Sequence, residues 1–245
     1  MFELFVTEQL LAPQYLGWLW QGFLITLWIS ACTVVASTLL GFVLAAARDS
    51  QLKILRWPVT AYTTLFRNTP LLVQLFFWYF ASGQILPQEV MLWLNTPHEI
   101  NLLGLPLAWP SFEFLAGFIG LTLYSAPFVA EELRAGIQGV RRGQKHAAHA
   151  LGLTGWQAMR YVVLPQALKI ATPPLLGQYM NIVKNSSLTM AIGVAELSYA
   201  SRQVETETLK TFEAFGVATV LYIAIIAVME GWGQWRQQQA ITRGH

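Results

Sequence analysis

The stretch Leu16-Gly17-Trp18-Leu19-Trp20-Gln21-Gly22-Phe23-Leu24-Ile25-Thr26-Leu27-Trp28-Ile29-Ser30-Ala31-Cys32-Thr33-Val34-Val35-Ala36-Ser37-Thr38-Leu39-Leu40-Gly41-Phe42-Val43-Leu44-Ala45-Ala46-Ala47 runs for thirty-two residues without a charge and stops at Arg48-Asp49. Crossing about 30 Å of hydrocarbon takes about 20 mostly apolar residues. This run is long enough to do so, and it sets the class of the fold. The first seventeen residues hold Glu3 and Glu8 and neither Lys nor Arg. A secretory signal starts basic, so this apolar run is expected to stay in the protein as a helix.

The rest of the chain has the same character. Of 245 residues, 55% are hydrophobic and 11% are charged, against roughly 25% charged in soluble domains. Further spans are expected at about Trp57–Ala81, Phe112–Ala130, Leu164–Val183 and Phe212–Met229, five in all. In the fourth, Lys169 and the pair Pro173-Pro174 interrupt the apolar run. The net charge of +2 and the lack of any long basic block exclude a nucleic-acid binder. One cysteine, Cys32, permits no internal disulfide and no cysteine zinc site.

Lys and Arg in the connections orient the spans, because positive residues stay in the cytoplasm. Residues 48–57 carry Arg48, Lys53 and Arg56; residues 82–111 carry none; residues 134–163 carry Arg134, Arg141, Arg142, Lys145 and Arg160; the end carries Arg236 and Arg243. The alternation puts the N-terminus outside and the C-terminus inside. The segment 184–211 mixes Lys184, Arg202 and Lys210 with Glu196, Glu205 and Glu207. It is expected outside, its first residues dipping into the membrane. In the outer loop 82–111, Pro87, Pro97, Pro106 and Pro110 rule out one long helix. Its Leu and Trp residues favour a short segment at the interface.

The cytoplasmic stretch Gly143–Pro165 reads as a helix–Gly–helix elbow. Ala147, Ala148, Ala150 and Leu151 form a small apolar patch, and Gly152 can adopt the left-handed conformation that ends a helix. Thr154-Gly155-Trp156-Gln157 fits a capping box that starts the next helix. Pro165 suits the first turn of the following span. Such an elbow has the shape to dock into another protein.

This stretch resembles the coupling loop of bacterial binding-protein-dependent ABC importers. The family pattern is Glu-Ala-Ala, three residues, Gly, nine residues, Ile, one residue, Leu-Pro. Here His146-Ala147-Ala148, Gly152, Val162 and Leu164-Pro165 stand at the same spacing, with His146 in place of Glu and Val162 in place of Ile. Phe66-Arg67-Asn68-Thr69-Pro70-Leu71-Leu72-Val73-Gln74, Lys184-Asn185-Ser186-Ser187-Leu188 and Gly193-Val194-Ala195-Glu196-Leu197 are similar to the polar amino-acid branch, most of all to glutamate/aspartate permeases. The resemblance covers nearly the whole chain and implies one all-α transmembrane permease domain over residues 1–245, of the type I ABC importer kind, in a bacterial inner membrane. It implies no enzyme activity and no cofactor in this chain. ATP and Mg²⁺ would bind a partner ATPase dimer that receives His146, Ala147, Ala148, Gly152, Leu164 and Pro165. A second permease subunit, identical or different, and a periplasmic amino-acid binding protein would complete the complex.

Arg67, Asn68, Thr69, Lys184, Asn185, Ser186, Ser187 and Glu196 are the candidate substrate-path residues. A lone charge inside a span costs roughly 2.5–3.5 kcal/mol on insertion scales. Asn68-Thr69-Pro70 breaks the helix beside Arg67, and broken helices at membrane depth line cavities. Each residue also has a structural reading. Arg67 can snorkel or pair with a carboxylate near the cytoplasmic side, Lys184 can sit at the outer interface, and Glu196 can serve as a helix-end charge. His146 and His149 have no carboxylate or cysteine joining them and three cations just upstream, which disfavours a metal site.

Two other classes compete. An ion-driven secondary transporter would need more carboxylates inside the spans and leaves the elbow unexplained. A membrane enzyme would need a motif such as His-Glu-x-x-His or Gly-x-Ser-x-Gly, and none occurs. No phosphate-binding Gly-x-x-x-x-Gly-Lys-[Ser/Thr] loop is present either. The charge count makes one direct prediction. In intact spheroplasts an impermeant thiol reagent labels Gln88→Cys and spares Gln144→Cys; the reverse pattern overturns the topology.

Overall fold

The computed structural model describes residues 11–50, 52–96, 98–102 and 105–242. Glu3, Glu8, Pro97 and Arg243 lie outside the described residues. The regular structure of the described residues is helical apart from one hairpin. Helix α1 spans Pro13–Arg48, α2 Lys53–Arg67, α3 Leu71–Ile85 and α4 Gln88–Asn95. Strands β1, Glu99–Leu102, and β2, Leu105–Ala108, pair antiparallel with Glu99 opposite Ala108. Helix α5 covers Phe112–Gly139, α6 Arg142–Ala150, α7 Gly155–Ala158, α8 Leu164–Ser186, α9 Leu197–Thr208 and α10 Thr211–Thr242.

Among the described residues, three helices meet a length and hydropathy standard for crossing a membrane: Pro13–Arg48, Phe112–Gly139 and Thr211–Gln239. Expectations for the other two spans change in detail. The run 57–81 is two helices, not one. Pro70 has no N–H to continue α2 and biases Thr69 away from helical angles, so the chain restarts at α3. The run 164–183 is one continuous helix despite Pro173 and Pro174, whose rings lie on its exposed side. The third helix continues nine residues past Ala130, carrying Glu131, Glu132 and Arg134 on its last turns.

The chain divides into two compact units. The first holds the residues up to Thr33, Thr69–Thr122 and Ile182–Ile225; the second holds Val34–Asn68, Leu123–Asn181 and the residues from Ile226 on. Helices α1, α5, α8 and α10 each contribute to both. The core of the first unit joins Leu19 of α1 to Leu197, Ala200 and Val204 of α9 and Ala214 and Ala218 of α10. That of the second joins Leu44 and Ala45 of α1 to Ala126, Val129 and Leu133 of α5 and Ala171 and Leu175 of α8.

Small residues set these approaches, as they do between helices in lipid. A Cβ on Gly136 of α5 would lie 2.6 Å from the Ala167 carbonyl oxygen and 2.8 Å from Ala171 Cβ of α8. A Cβ on Gly41 of α1 would lie 2.7 Å from Val129. In the first unit, a Cβ on Gly22 would lie 2.8 Å from Ala200 Cβ and 2.9 Å from the Glu196 carbonyl oxygen. The buried face of α1 is lined by Thr26, Ser30, Thr33 and Ser37, each no bulkier than a valine.

The segment 82–111 is not one long helix: it carries the short helix α4 followed by the hairpin. Trp93, His98 and Trp109 pack as an aromatic cluster with ring centroids 4.4–5.1 Å apart, and Trp109 N–H donates to the His98 carbonyl at 2.7 Å.

Pro127 lies buried in the middle of α5. Lacking an N–H, it leaves the carbonyl of Leu123, four residues back, without its helical donor. The Tyr62 hydroxyl of α2 donates to that oxygen at 2.6 Å. Tyr62→Phe is therefore expected to lower stability by about 1–3 kcal/mol, the cost of a buried unsatisfied carbonyl. In the Pro127→Ala background, where residue 127 regains its N–H, the same change costs much less. Denaturant unfolding of the four purified variants in detergent measures the coupling; equal costs in both backgrounds refute it.

Candidate functional site

The elbow forms from local rules. Gly152 has φ +82°, a region that costs an L-residue roughly 1 kcal/mol or more. Leu153 N–H donates to the Ala148 carbonyl at 3.1 Å and Gly152 N–H to that of His149 at 2.9 Å. Together they make a Schellman closure of α6. Thr154 then caps α7 reciprocally with Gln157: the Gln157 N–H reaches Thr154 Oγ1 at 3.3 Å, and the Thr154 N–H reaches Gln157 Oε1 at 2.8 Å.

The helix entered there does not stop before Pro165. It passes through a π turn, Met159–Val163, directly into α8, so Pro165 sits inside a continuous helix rather than at a fresh start. Leu164 N–H reaches back five residues to the Met159 carbonyl, and Gln166 Nε2 donates to the Val162 carbonyl at 2.8 Å. The wider turn relieves the clash that a proline ring imposes on the preceding turn of an α-helix. Val140, Val163 and Ala167 are buried together beneath the elbow, with Ile137 and Met159 against them.

The outward side of the elbow is apolar and basic. Leu151 is 83% exposed and Trp156 72% exposed, so both offer apolar surface at the turn of the elbow. His146 and Ala147 are exposed, Ala148 is buried, Leu164 is half-buried and Pro165 exposed. Arg141, Arg142, Lys145 and Arg160 are exposed on the same segment.

The candidate path residues divide between the two units. Arg67 and Asn68 belong to the second; Thr69, Lys184, Asn185, Ser186, Ser187 and Glu196 belong to the first. Asn68 Nδ2 donates to the Thr64 carbonyl at 2.7 Å and finishes α2. The Thr69 carbonyl accepts Gln74 Nε2 at 3.0 Å, which stitches the break to the start of α3. Lys184 is exposed and Asn185 half-buried near the end of α8. The hydroxyls of Ser186 and Ser187 donate back to the carbonyls of Val183 and Lys184 at 2.8 and 2.7 Å, carrying the chain into a 3₁₀ turn, Ser187–Ile192.

Glu196 is fully buried and acts as the N-cap of α9. Its carboxylate accepts from Tyr199 N–H at 2.9 Å, Ser198 N–H at 3.0 Å, Tyr222 hydroxyl at 2.8 Å and Thr26 hydroxyl at 3.3 Å. Leu197 N–H also donates to Thr26 Oγ1 at 3.1 Å. One carboxylate thus joins α1, α9 and α10, and the helix-end reading of Glu196 is what the geometry displays.

Arg67 does not stand alone in the second unit. Its Nη1 lies 3.3 Å from Glu131 Oε1 and its guanidinium carbon 5.5 Å from the centre of the Phe128 ring. Glu131 also pairs with Arg48 and, at 3.4 Å, with Arg134, which holds Asp49 at 3.0 Å. Glu131 is the residue that sequence reasoning missed, because the third span was expected to end one residue earlier. The spacing Phe128, Glu131, Arg134 on a continuing helix is the signal that would have found it.

Comparison with known proteins agrees with this architecture. Residues 37–239 match the family of binding-protein-dependent transport system inner membrane components. The chain is 36% identical over 213 residues to the glutamate/aspartate import permease protein GltJ of Escherichia coli (strain K12), covering 87% of this chain and 83% of that one. It is 37% identical over 205 residues to the probable glutamine ABC transporter permease protein GlnM of Bacillus subtilis (strain 168), covering 83% and 84%. Among solved structures, one described as an amino acid ABC transporter with histidines superposes with a TM-score of 0.77 at 29% identity, covering 92% of this chain and 95% of that one. An inward-facing structure of the MetNI methionine ABC transporter shares the fold, with a TM-score of 0.71 at 18% identity over 94% and 99%. With its bundle of apolar helices, its exposed elbow and a family match over most of its length, the chain belongs to the inner-membrane components of binding-protein-dependent transport systems.

Proposed function

We propose that this chain is the permease subunit of an ATP-driven importer that carries a polar amino acid, glutamate or aspartate first among them, from the periplasm to the cytoplasm. The observation that carries the reading is the elbow: a helix–Gly–helix turn whose exposed Leu151 and Trp156 present apolar surface for another protein. Its place in the family and the names of its relatives support an ABC importer over an ion-driven carrier, and the 36% identity to a glutamate/aspartate permease supports the substrate.

In this reading all 245 residues act as one permease domain with five crossings, the N-terminus outside and the C-terminus inside. A second permease subunit, a periplasmic binding protein and a dimer of ATPase subunits complete the machine. ATP and Mg²⁺ reside on the ATPases. His146, Ala147, Ala148, Gly152, Leu164 and Pro165 make up the coupling loop. Arg67, Asn68, Thr69, Lys184, Asn185, Ser186 and Ser187 border the substrate path, and Glu196 holds its outer frame in shape.

Two experiments test this. The complex, purified with its co-purifying ATPase and binding protein and placed in proteoliposomes, imports labelled L-glutamate only when ATP is present on the cytoplasmic side. Import driven by an ion gradient without ATP refutes the reading. Gly152→Asp forces a Cβ and a charge into the left-handed turn of the elbow, where the glycine Cα faces open space. The protein still inserts, because no span is touched, but ATPase pull-down weakens or its hydrolysis no longer depends on substrate. Full import with normal pull-down in this variant rejects the coupling assignment.

A further inference from the structure

In the second unit, three guanidinium groups converge on one carboxylate. Glu131 Oε1 is shared by Arg48 and Arg67, and Glu131 Oε2 faces Arg134 at 3.4 Å. Asp49 adds the second carboxylate, bound to Arg134 Nε at 3.0 Å. Three positive groups and two negative ones leave the cluster one carboxylate short of neutrality. Glu132, the next acidic side chain along α5, accepts from Gln178 Nε2 of α8 at 3.1 Å and appears in none of the cluster's ion pairs.

The three arginines are not equivalent. Arg134 is tied to two carboxylates and its side chain is 19% exposed; Arg48 pairs with Glu131 and is 27% exposed. Arg67 has a single ion pair, at 3.3 Å, and is 43% exposed, the most open of the three. Its guanidinium carbon also lies over the Phe128 ring, 5.5 Å from the ring centre, a contact independent of the ion pair. It sits on the last residue of α2, at the Asn68–Pro70 break. A guanidinium presents a fork matched to a carboxylate, and of the three this one can change partners at least cost.

We propose that Arg67 is a carboxylate-binding residue of the transport path and that Glu131 is its internal competitor. Glu131 occupies the guanidinium when the path is empty and yields it to the carboxylate of the transported amino acid. The inference rests on the proposed function. The arriving carboxylate makes up the missing negative charge, while Arg48 and Arg134 keep Glu131 paired. The carboxylate is either the one common to all amino acids or that of an acidic side chain, and the two differ in their behaviour toward glutamine.

The test uses the purified complex of permease and ATPase. Equilibrium binding of labelled L-glutamate and L-glutamine is measured without binding protein, and import into proteoliposomes with it. Arg67→Gln weakens glutamate binding about tenfold, as loss of one charge-assisted hydrogen bond does, and Arg67→Lys restores part of it. Glu131→Gln has the opposite sign and tightens binding, since the competitor is gone. Glu131→Asp, which withdraws the carboxylate by one methylene, shifts binding the same way and serves if Glu131→Gln fails to assemble. A purely structural cluster predicts losses for every variant. Equal loss of glutamate and glutamine binding in Arg67→Gln identifies the common carboxylate, and loss confined to glutamate identifies the side chain; both support the proposal. Unchanged binding in Arg67→Gln, or weaker binding in both Glu131 variants, overturns it. So does a wild-type complex that imports glutamate yet binds neither amino acid. A complex that neither binds nor imports fails the functional reading itself, and this inference with it.

Discussion

Hydrocarbon offers no partner to a backbone carbonyl or a carboxylate, so a chain that crosses it must satisfy such groups from within. The pairing of Tyr62 with the Leu123 carbonyl meets this constraint at its most local. Pro127 removes one helical donor, and a phenol from a different helix replaces it at 2.6 Å. Glu196 meets it on a larger scale. A fully buried carboxylate receives two backbone N–H groups and two hydroxyls, and in doing so ties together α1, α9 and α10. Removing either donor set would strand a polar group, which costs more than the bond itself contributes.

The same constraint explains why helices in this protein approach through small residues. A backbone whose polar groups are already satisfied can press closely on another only where side chains are short. Gly136 against Ala167 and Ala171, and Gly41 against Val129, are such places in one unit; Gly22 against Ala200 is one in the other. The hydroxyl-bearing positions Thr26, Ser30, Thr33 and Ser37 follow the same logic on α1, where a larger side chain would hold the neighbouring helices apart.

Charge is treated differently. The buried Glu196 is surrounded by neutral donors, whereas the partly exposed Glu131 is surrounded by arginines. The first arrangement is fully satisfied and built to stay closed. In the second, several cations share one anion, so the pairing can be redistributed without stranding any group. The first kind is a joint within the helix bundle; the second is a shared set of charges beside the break at Asn68–Pro70.

Much of this was legible in the sequence wherever the physics is short-range. Hydropathy over a window of about 20 residues finds the three helices Pro13–Arg48, Phe112–Gly139 and Thr211–Gln239, three of the five spans expected. The elbow rests on interactions within four or five residues: Gly152 in its left-handed turn and the Thr154–Gln157 box both follow from residue type and spacing. The break at Asn68–Pro70 is equally local. Pro165 lies in the first turn of α8, as its residue type suggests, but the π turn that joins α7 to α8 without a break has no strong sequence signal. What only the tertiary structure decided is who partners whom. Glu196 finds Thr26 from 170 residues away, Tyr62 finds Leu123 from 61, and Arg67 finds Glu131 on a helix expected to have ended. Residue type alone announces that an arginine within an apolar run must be compensated, since leaving it bare is too costly; that Glu196 is buried is known only from the fold. Which group compensates them depends on how distant helices pack, and packing follows from shape summed over the whole chain.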